Sequence, residues 1–198
     1  MKVALYYLLI IALFCIQGCA DNEKIIISKQ DVIVAFGDSL TQGVGTLPEN
    51  SYPSILEKEL GVTVINSGIS GQESIEGLAR IESVLEKYQP AVLILCYGGN
   101  DLLRKRDITD LKDNLTKIIE ITQLNGTEVL LVGVPKPGLF LSPFPLYEEL
   151  ASQYQLISEL DVLSTLLSDN AMKSDAVHLN KIGYRKLALS LKEKIHVE

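Results

Sequence analysis

The stretch Val34-Ala35-Phe36-Gly37-Asp38-Ser39-Leu40-Thr41 passes within eight residues from an apolar run to a glycine-led polar turn carrying a serine. An apolar strand that ends this way delivers a hydroxyl to its carboxyl end. In open α/β sheets ligands bind outside those ends, so Ser39 is a candidate nucleophile. Gly37 permits a sharp turn and Asp38 can hydrogen-bond it, as both would at a helix entry or in an ordinary loop.

Working outward, short runs rich in Val and Ile alternate with segments of helical period. Strands are expected at Val32 to Phe36, Val62 to Ile65, Ala91 to Leu95 and Glu128 to Val132, with a weaker fifth near Leu160 to Leu163. Helices are expected at Tyr52 to Leu60, Ser74 to Tyr88, Ile108 to Leu124, Leu146 to Glu159 and Lys181 to Lys194. Continuously apolar strands separated by amphipathic helices predict an α/β fold whose parallel sheet is covered on both faces. Right-handed crossovers then gather the loops 37–45, 66–71, 97–101 and 133–145 at one edge. No internal repeat or low-complexity linker interrupts the pattern, which predicts one domain over residues 25–198.

The 198 residues are 47% hydrophobic and 22% charged, the make-up of one folded domain with a short appendage. A net charge of −7 argues against a nucleic-acid partner, because phosphate binding requires a basic patch. Arg104-Lys105-Arg106 is the lone basic cluster and reads as a solvated loop. Met1-Lys2, the apolar run Val3 to Ile16 and Gln17-Gly18-Cys19-Ala20 read as a signal peptide over residues 1–18, too short to span a bilayer comfortably. Ile16-Gln17-Gly18-Cys19 resembles a bacterial lipoprotein processing site, with Gln17 uncommon at its position. That resemblance implies lipidation of Cys19, a tether over residues 19–24 and attachment to the periplasmic face of the cell envelope. Plain secretion or a soluble periplasmic form is the alternative. Cys96 then remains alone, and its apolar surroundings make it an inert core residue rather than a nucleophile.

Several chemistries lack their motifs. No G-x-x-x-x-G-K-[ST] occurs and no G-x-G-x-x-G follows the first strand, so phosphate cradling has little support. With two histidines, His178 and His196, and no cysteine pair at ligand spacing, neither a metal nor a cofactor is expected. The second glycine of a G-x-S-x-G elbow is missing around Ser39. A serine nucleophile needs a base, and His178 is the strong candidate, since His196 falls in a polar C-terminal tail expected to fray. Asp175, three residues earlier, can reach the imidazole Nδ1, fix its tautomer and stabilise the imidazolium. It can equally serve as a cap before the last helix. Asn100 offers an amide NH₂ and Gly71 an unobstructed backbone N–H, which with the Ser39 N–H would make an oxyanion hole.

Gly37-Asp38-Ser39-Leu40, Gly71 in its Asn-x-x-x-x-Gly loop, Gly99-Asn100-Asp101 and Asp175-x-x-His178 occur in the order and spacing of the SGNH, or GDSL, hydrolases. The resemblance runs from about Val32 to Ala188. Gly77-Leu78-Ala79-Arg80 and Gly98-Gly99-Asn100-Asp101 are similar to the compact bacterial esterases of thioesterase, arylesterase and lysophospholipase type. The resemblance implies a three-layer flavodoxin-like fold with a five-stranded parallel sheet of order 2-1-3-4-5. It also implies Ser39 as nucleophile, His178 as base and Asp175 as its orienter, with Ser39, Gly71 and Asn100 forming the oxyanion hole. Gly71 is preferred to Gly68 because it falls second in the loop, where the family's donor lies. Leu179 departs from the family's frequent proline, which should alter loop rigidity rather than chemistry. The expected substrate is a small acyl ester, thioester or lysophospholipid, hydrolysed by a monomer without cofactor. Phe140 and Phe144, in the apolar loop 137–147, are expected to line an acyl groove, or else to plug the core beneath it. A carbohydrate O-acetylesterase and a non-catalytic ligand-binding lipoprotein are the other readings.

Overall fold

The structure, a computed structural model, describes residues 24–138 and 141–198. The expected signal peptide, Cys19 and Phe140 therefore lie outside the described residues. Among these, seven strands form two parallel sheets. The main sheet contains β2 (Val32–Gly37), β3 (Thr63–Gly68), β4 (Val92–Cys96), β5 (Glu128–Val132) and β6 (Ile157–Glu159), in the spatial order β3-β2-β4-β5-β6. A short strand β1 (Ile25–Ile27) pairs with β7 (Ile195–Val197) in a separate two-stranded sheet. Counted along the chain the order differs from the expected 2-1-3-4-5, because β1 precedes the five main strands and was not anticipated. Its three isoleucines are too short a run to show a period.

Burial explains the unbroken apolar runs. Ile33, Val34, Ala35 and Phe36 of β2, and Val92 through Leu95 of β4, have no solvent exposure, so helices cover both faces. Fully burying a side chain of this size is worth about 1.5–3 kcal/mol. The helices are α1 (Ser39–Gln42), α2 (Tyr52–Leu60), α3 (Ser74–Leu78), α4 (Ile81–Tyr88), α5 (Gly99–Leu103), α6 (Ile108–Leu124), α7 (Pro145–Tyr154), α8 (Val162–Ser168) and α9 (Lys181–Lys192). Helices α2 and α9 pack together, while α6 packs against α3, α4 and α7 as a second group. Local signals set their ends. The Asp107 carboxylate accepts from the Thr109 N–H at 2.8 Å to start α6, and Asn180 Oδ1 accepts from the N–H groups of Ile182 and Gly183 to start α9.

Four expectations need correction. The fifth strand lies at Ile157–Glu159, and the Leu160 to Leu163 run instead leads into α8, whose Leu163, Leu166 and Leu167 are buried at helical spacing. The helix expected from Leu146 ends at Tyr154, where Gln155 takes a left-handed conformation (φ 52°). The helix expected over Ser74 to Tyr88 breaks at Ala79-Arg80, because the Arg80 side chain turns inward to backbone carbonyls at the sheet edge. His196 does not fray: it lies in β7, and the neighbouring Ile195 is buried beside Ile25 and Ile27. Prolines and glycines do not mark these boundaries, so periodicity alone misplaced them.

Candidate active site

The site stands at the carboxyl edge, where β2 lies between β3 and β4. Gly37 is level with Gly68 on one side and Cys96 on the other. A Cβ on Gly37 would overlap the Thr41 hydroxyl and the Cys96 carbonyl. Because glycine lacks one, α1 can begin at once after the strand. The Asp38 carboxylate caps it, Oδ1 accepting from the Leu40 N–H at 3.1 Å. Ser39 is thus the first residue of the helix, and its N–H has no partner among the described residues.

His178 Nε2 lies 2.9 Å from Ser39 Oγ, and His178 Nδ1 lies 2.8 Å from Asp175 Oδ2. Asp175 serves both uses open to it in the sequence. Its Oδ1 accepts from the N–H groups of Val177 and His178 at 2.9 and 2.8 Å, while Oδ2 meets the imidazole. Burial raises its proton affinity, but these hydrogen bonds and the imidazole outweigh that and hold the carboxyl below its usual range. The segment closes on itself through Ser174 N–H to His178 C=O at 3.0 Å. Leu179, in the position of the family's frequent proline, is fully buried and bridges to Lys173.

The other two expected donors lie on two further loops. Gly71 borders the cavity in a left-handed conformation (φ +82°), and its N–H has no partner among the described residues. Gly68 packs against the backbone of α1, leaving no room for a Cβ, and plays a structural part instead. Asn100 Nδ2 donates to the Gln72 carbonyl at 2.9 Å and faces Asp38 Oδ2 at 3.4 Å. The Gln72 bond takes one amide N–H and sets the amide orientation, while the second makes only the long contact to Asp38 at the cavity wall. Ser70 N–H donates to Gln42 Oε1 at 2.8 Å, tying the Gly71 loop to α1.

These groups open into a cavity of about 740 Å³ whose apolar lining includes Leu103, Val134, Pro135, Leu141 and Leu167. The loop after β5 contributes Pro135, Pro137, Gly138 and Leu141 to the cavity. Phe144 is not among the lining residues; it packs edge-on to Tyr147, at 6.4 Å between ring centroids, and against the core.

Several polar residues here were given no role at the site by the sequence. Arg80 lies 4.1 Å over the Phe36 ring and donates to Ser67 O, Gly37 O, Gln72 Oε1 and the Tyr97 hydroxyl, bracing the strand ends. The basic cluster is not simply solvated. Arg104 Nη1 donates to the Gly71 carbonyl at 3.0 Å and to Glu73 at 2.8 Å, and Arg106 joins it on Glu73. These two guanidiniums hold the Glu73 carboxyl below its ordinary range. Sequence carried no sign of this, since Glu73 stands over thirty residues away.

The parallel sheet and the residues on its carboxyl edge define the SGNH hydrolase fold. The model of the GDSL-like Lipase/Acylhydrolase family matches residues 35–186, and the chain belongs to that family. It is 32% identical to Esterase TesA of Pseudomonas aeruginosa over 130 residues, 62% of this chain and 64% of that protein. It is 31% identical to an arylesterase of Vibrio mimicus over 134 residues, 65% and 63% of the two chains. The match thus spans just under two thirds of these relatives. The Escherichia coli protein named Thioesterase 1/protease 1/lysophospholipase L1 is 26% identical over 76% of each chain. Among solved structures, AlinE4, titled an SGNH-hydrolase family esterase, is 30% identical with a TM-score of 0.67, covering 84% of this chain and 95% of its own. A crystal structure of TesA superposes with a TM-score of 0.75 at 24% identity over 82% of this chain and 97% of its own, which carries the fold alone.

Burial beside the nucleophile pushes the Asp38 carboxyl up to about 6, against the Leu40 N–H and the His178 charge, with Asp101 adding to the rise. The native state therefore holds this proton more tightly than the unfolded chain, whose value is near 3.8. Stability contributed by the protonated form is present below pH 4 and is lost as pH rises through 6, by up to about 3 kcal/mol. Asp38→Asn keeps a capping oxygen but does not titrate. Urea unfolding from pH 4 to 7 should show wild type losing stability relative to this variant; a constant difference would refute the assignment.

Proposed function

We propose that the protein is a serine esterase that hydrolyses carboxylic ester or thioester bonds of acyl substrates through an acyl-enzyme. The observation that carries this reading is the continuous hydrogen-bonded line from Asp175 through His178 to Ser39 Oγ, opening into a cavity with an apolar wall of Leu103, Val134, Leu141 and Leu167. As Ser39 Oγ attacks the carbonyl carbon, His178 Nε2 takes the hydroxyl proton, and Asp175 holds the imidazolium at Nδ1. The carbonyl oxygen becomes an oxyanion facing the N–H groups of Ser39 and Gly71 and the Asn100 amide. His178 returns its proton to the leaving alkoxide or thiolate. Water then repeats the sequence on the acyl-enzyme, with His178 as base, releasing the acid and restoring Ser39.

With p-nitrophenyl esters, Ser39→Ala should lower kcat by at least about 10³-fold. Asp175→Asn should lower kcat by about 10²- to 10⁴-fold while leaving KM within a few-fold, because the orienter acts on the transition state. Activity near wild type in the alanine variant would end the proposal.

The apolar lining favours acyl chains longer than acetyl, and lysophospholipids or other acyl esters over acetylated carbohydrate. Rates across a series of p-nitrophenyl esters should rise from acetyl to medium chains, and Leu141→Ser should flatten the series. A maximum at acetyl, unchanged by Leu141→Ser, would instead favour an O-acetylesterase.

The residues 1–19 support export and lipid attachment at Cys19, with a monomeric domain held at the envelope by that anchor. Fractionation of the full chain should find it with membranes and find Cys19→Ala in the soluble envelope fraction. Equal distribution of the two would exclude the anchor.

A further inference from the structure

Asn100 and Asp101 are consecutive in α5, and both side chains hold the segment that carries Gly71. Asn100 Nδ2 donates to the Gln72 carbonyl, and among the described residues the Asp101 carboxylate takes hydrogen bonds from Ser74 alone. The Ser74 N–H lies 3.0 and 3.2 Å from the two oxygens, and Ser74 Oγ donates to Oδ1 at 2.6 Å. Ser74 Oγ accepts in turn from Asn114 Nδ2 of α6 at 3.0 Å. Asp101 is 4% exposed and Ser74 is fully buried. Removing a carboxylate from such a pair leaves a buried donor unmatched, whereas the intact bonds are the strong, charge-assisted kind.

The placement matters more than the strength. Gly71 and Asn100 supply two of the three oxyanion donors, from loops after different strands. Nothing in the parallel ladder links β3 to β4, since β2 lies between them. The spacing of the two donors is therefore set across the loops themselves. Asp101 is the buried strut across that gap, anchoring Ser74 three residues past Gly71, while Asn100 anchors Gln72 one residue past it. Arg104 grips the Gly71 carbonyl from the solvent side, where screening weakens it.

We propose that Asp101 is a positioning residue of the oxyanion hole: through Ser74 it fixes the Gly71 N–H at the distance from Asn100 that a tetrahedral oxyanion requires. It touches no reacting atom. Its contribution rests on the ester-hydrolase reading above and appears only as the carbonyl becomes tetrahedral, because donors displaced by an ångström serve the planar substrate almost as well.

The test uses Asp101→Asn and the milder Ser74→Ala, which keeps the backbone N–H bonds to Asp101 and loses the hydroxyl. Asp101→Asn should lower kcat with p-nitrophenyl esters by about 10- to 100-fold with KM within about 3-fold, and Ser74→Ala by about 3- to 10-fold. An acyl trifluoromethyl ketone, which adds to Ser39 as a tetrahedral adduct, should lose affinity in step with kcat/KM. The product fatty acid should bind as in wild type. If Asp101→Asn does not fold, the same parallel must hold in Ser74→Ala. Variants that fold with kcat within about 2-fold of wild type would overturn the proposal, as would equal losses of ketone and product binding. A wild type inert toward every ester and thioester would instead remove the reading beneath it.

Discussion

The close approach of three chain segments at Gly37 is the constraint on which the rest depends. The end of β2 is level with Gly68 and Cys96, while Thr41 of α1 folds back onto the same point. Any side chain there would push α1 away from the sheet. With α1 displaced, Ser39 would leave His178, and the Gln42 side chain would release the Ser70 N–H that it holds. The Gly37 carbonyl has its own duties, accepting from the Ile69 N–H at 3.1 Å and from Arg80 Nη2 at 3.3 Å. One missing methyl thus sets the nucleophile, the start of the Gly71 loop and the seat of Arg80.

Two carboxyl groups flank the nucleophile, and their environments push them in opposite directions. Asp38 is buried and raised to about 6; Asp175 is half exposed and lowered. Separation of this kind is how one site assigns different protonation roles to like groups. In the proposed reaction Asp175 stays charged while the imidazole takes a proton, and its hydrogen bonds favour that charge. Asp38 lies near Asn100 on the side where an oxyanion would form, so its own charge works against the developing one. Burial moves it toward neutrality, which lessens that opposition and leaves its capping bond to Leu40 intact.

How much of this was legible in the sequence follows the range of each interaction. Asp175-x-x-His178 is a local unit: five residues closed by Ser174 N–H to His178 C=O, with Asp175 bonding both the turn and the ring. Its spacing left both uses of Asp175, orienter and cap, open, and the family resemblance chose the orienter. The strands β2 through β5 were legible, because burial on both faces writes itself as unbroken Val, Ile and Leu. The edges were not. β6 has only half-buried residues and β1 and β7 are three residues each, so none shows a period that separates it from neighbouring helix or tail. Phe144 was open to both readings, groove lining or core plug, because aromatic residues serve both, and only packing on Tyr147 decides between them.

The same distinction divides the site itself. The proposed base and its orienter carry their geometry within one short loop, so their alignment needs the fold only to bring that loop to Ser39. The donors for the oxyanion come from three loops whose spacing no local motif sets; Arg104 to Gly71, Asn100 to Gln72 and Asp101 to Ser74 each join residues about thirty apart. These bonds are what preorganisation means here, since donors that had to move during the reaction would lose much of their electrostatic value. In the sequence Arg104 belonged to a run read as solvated, and Asp101 stood in the Gly99-Asn100-Asp101 motif with no role of its own. Their role is long-range, and it becomes visible only once the strands have set the loops side by side.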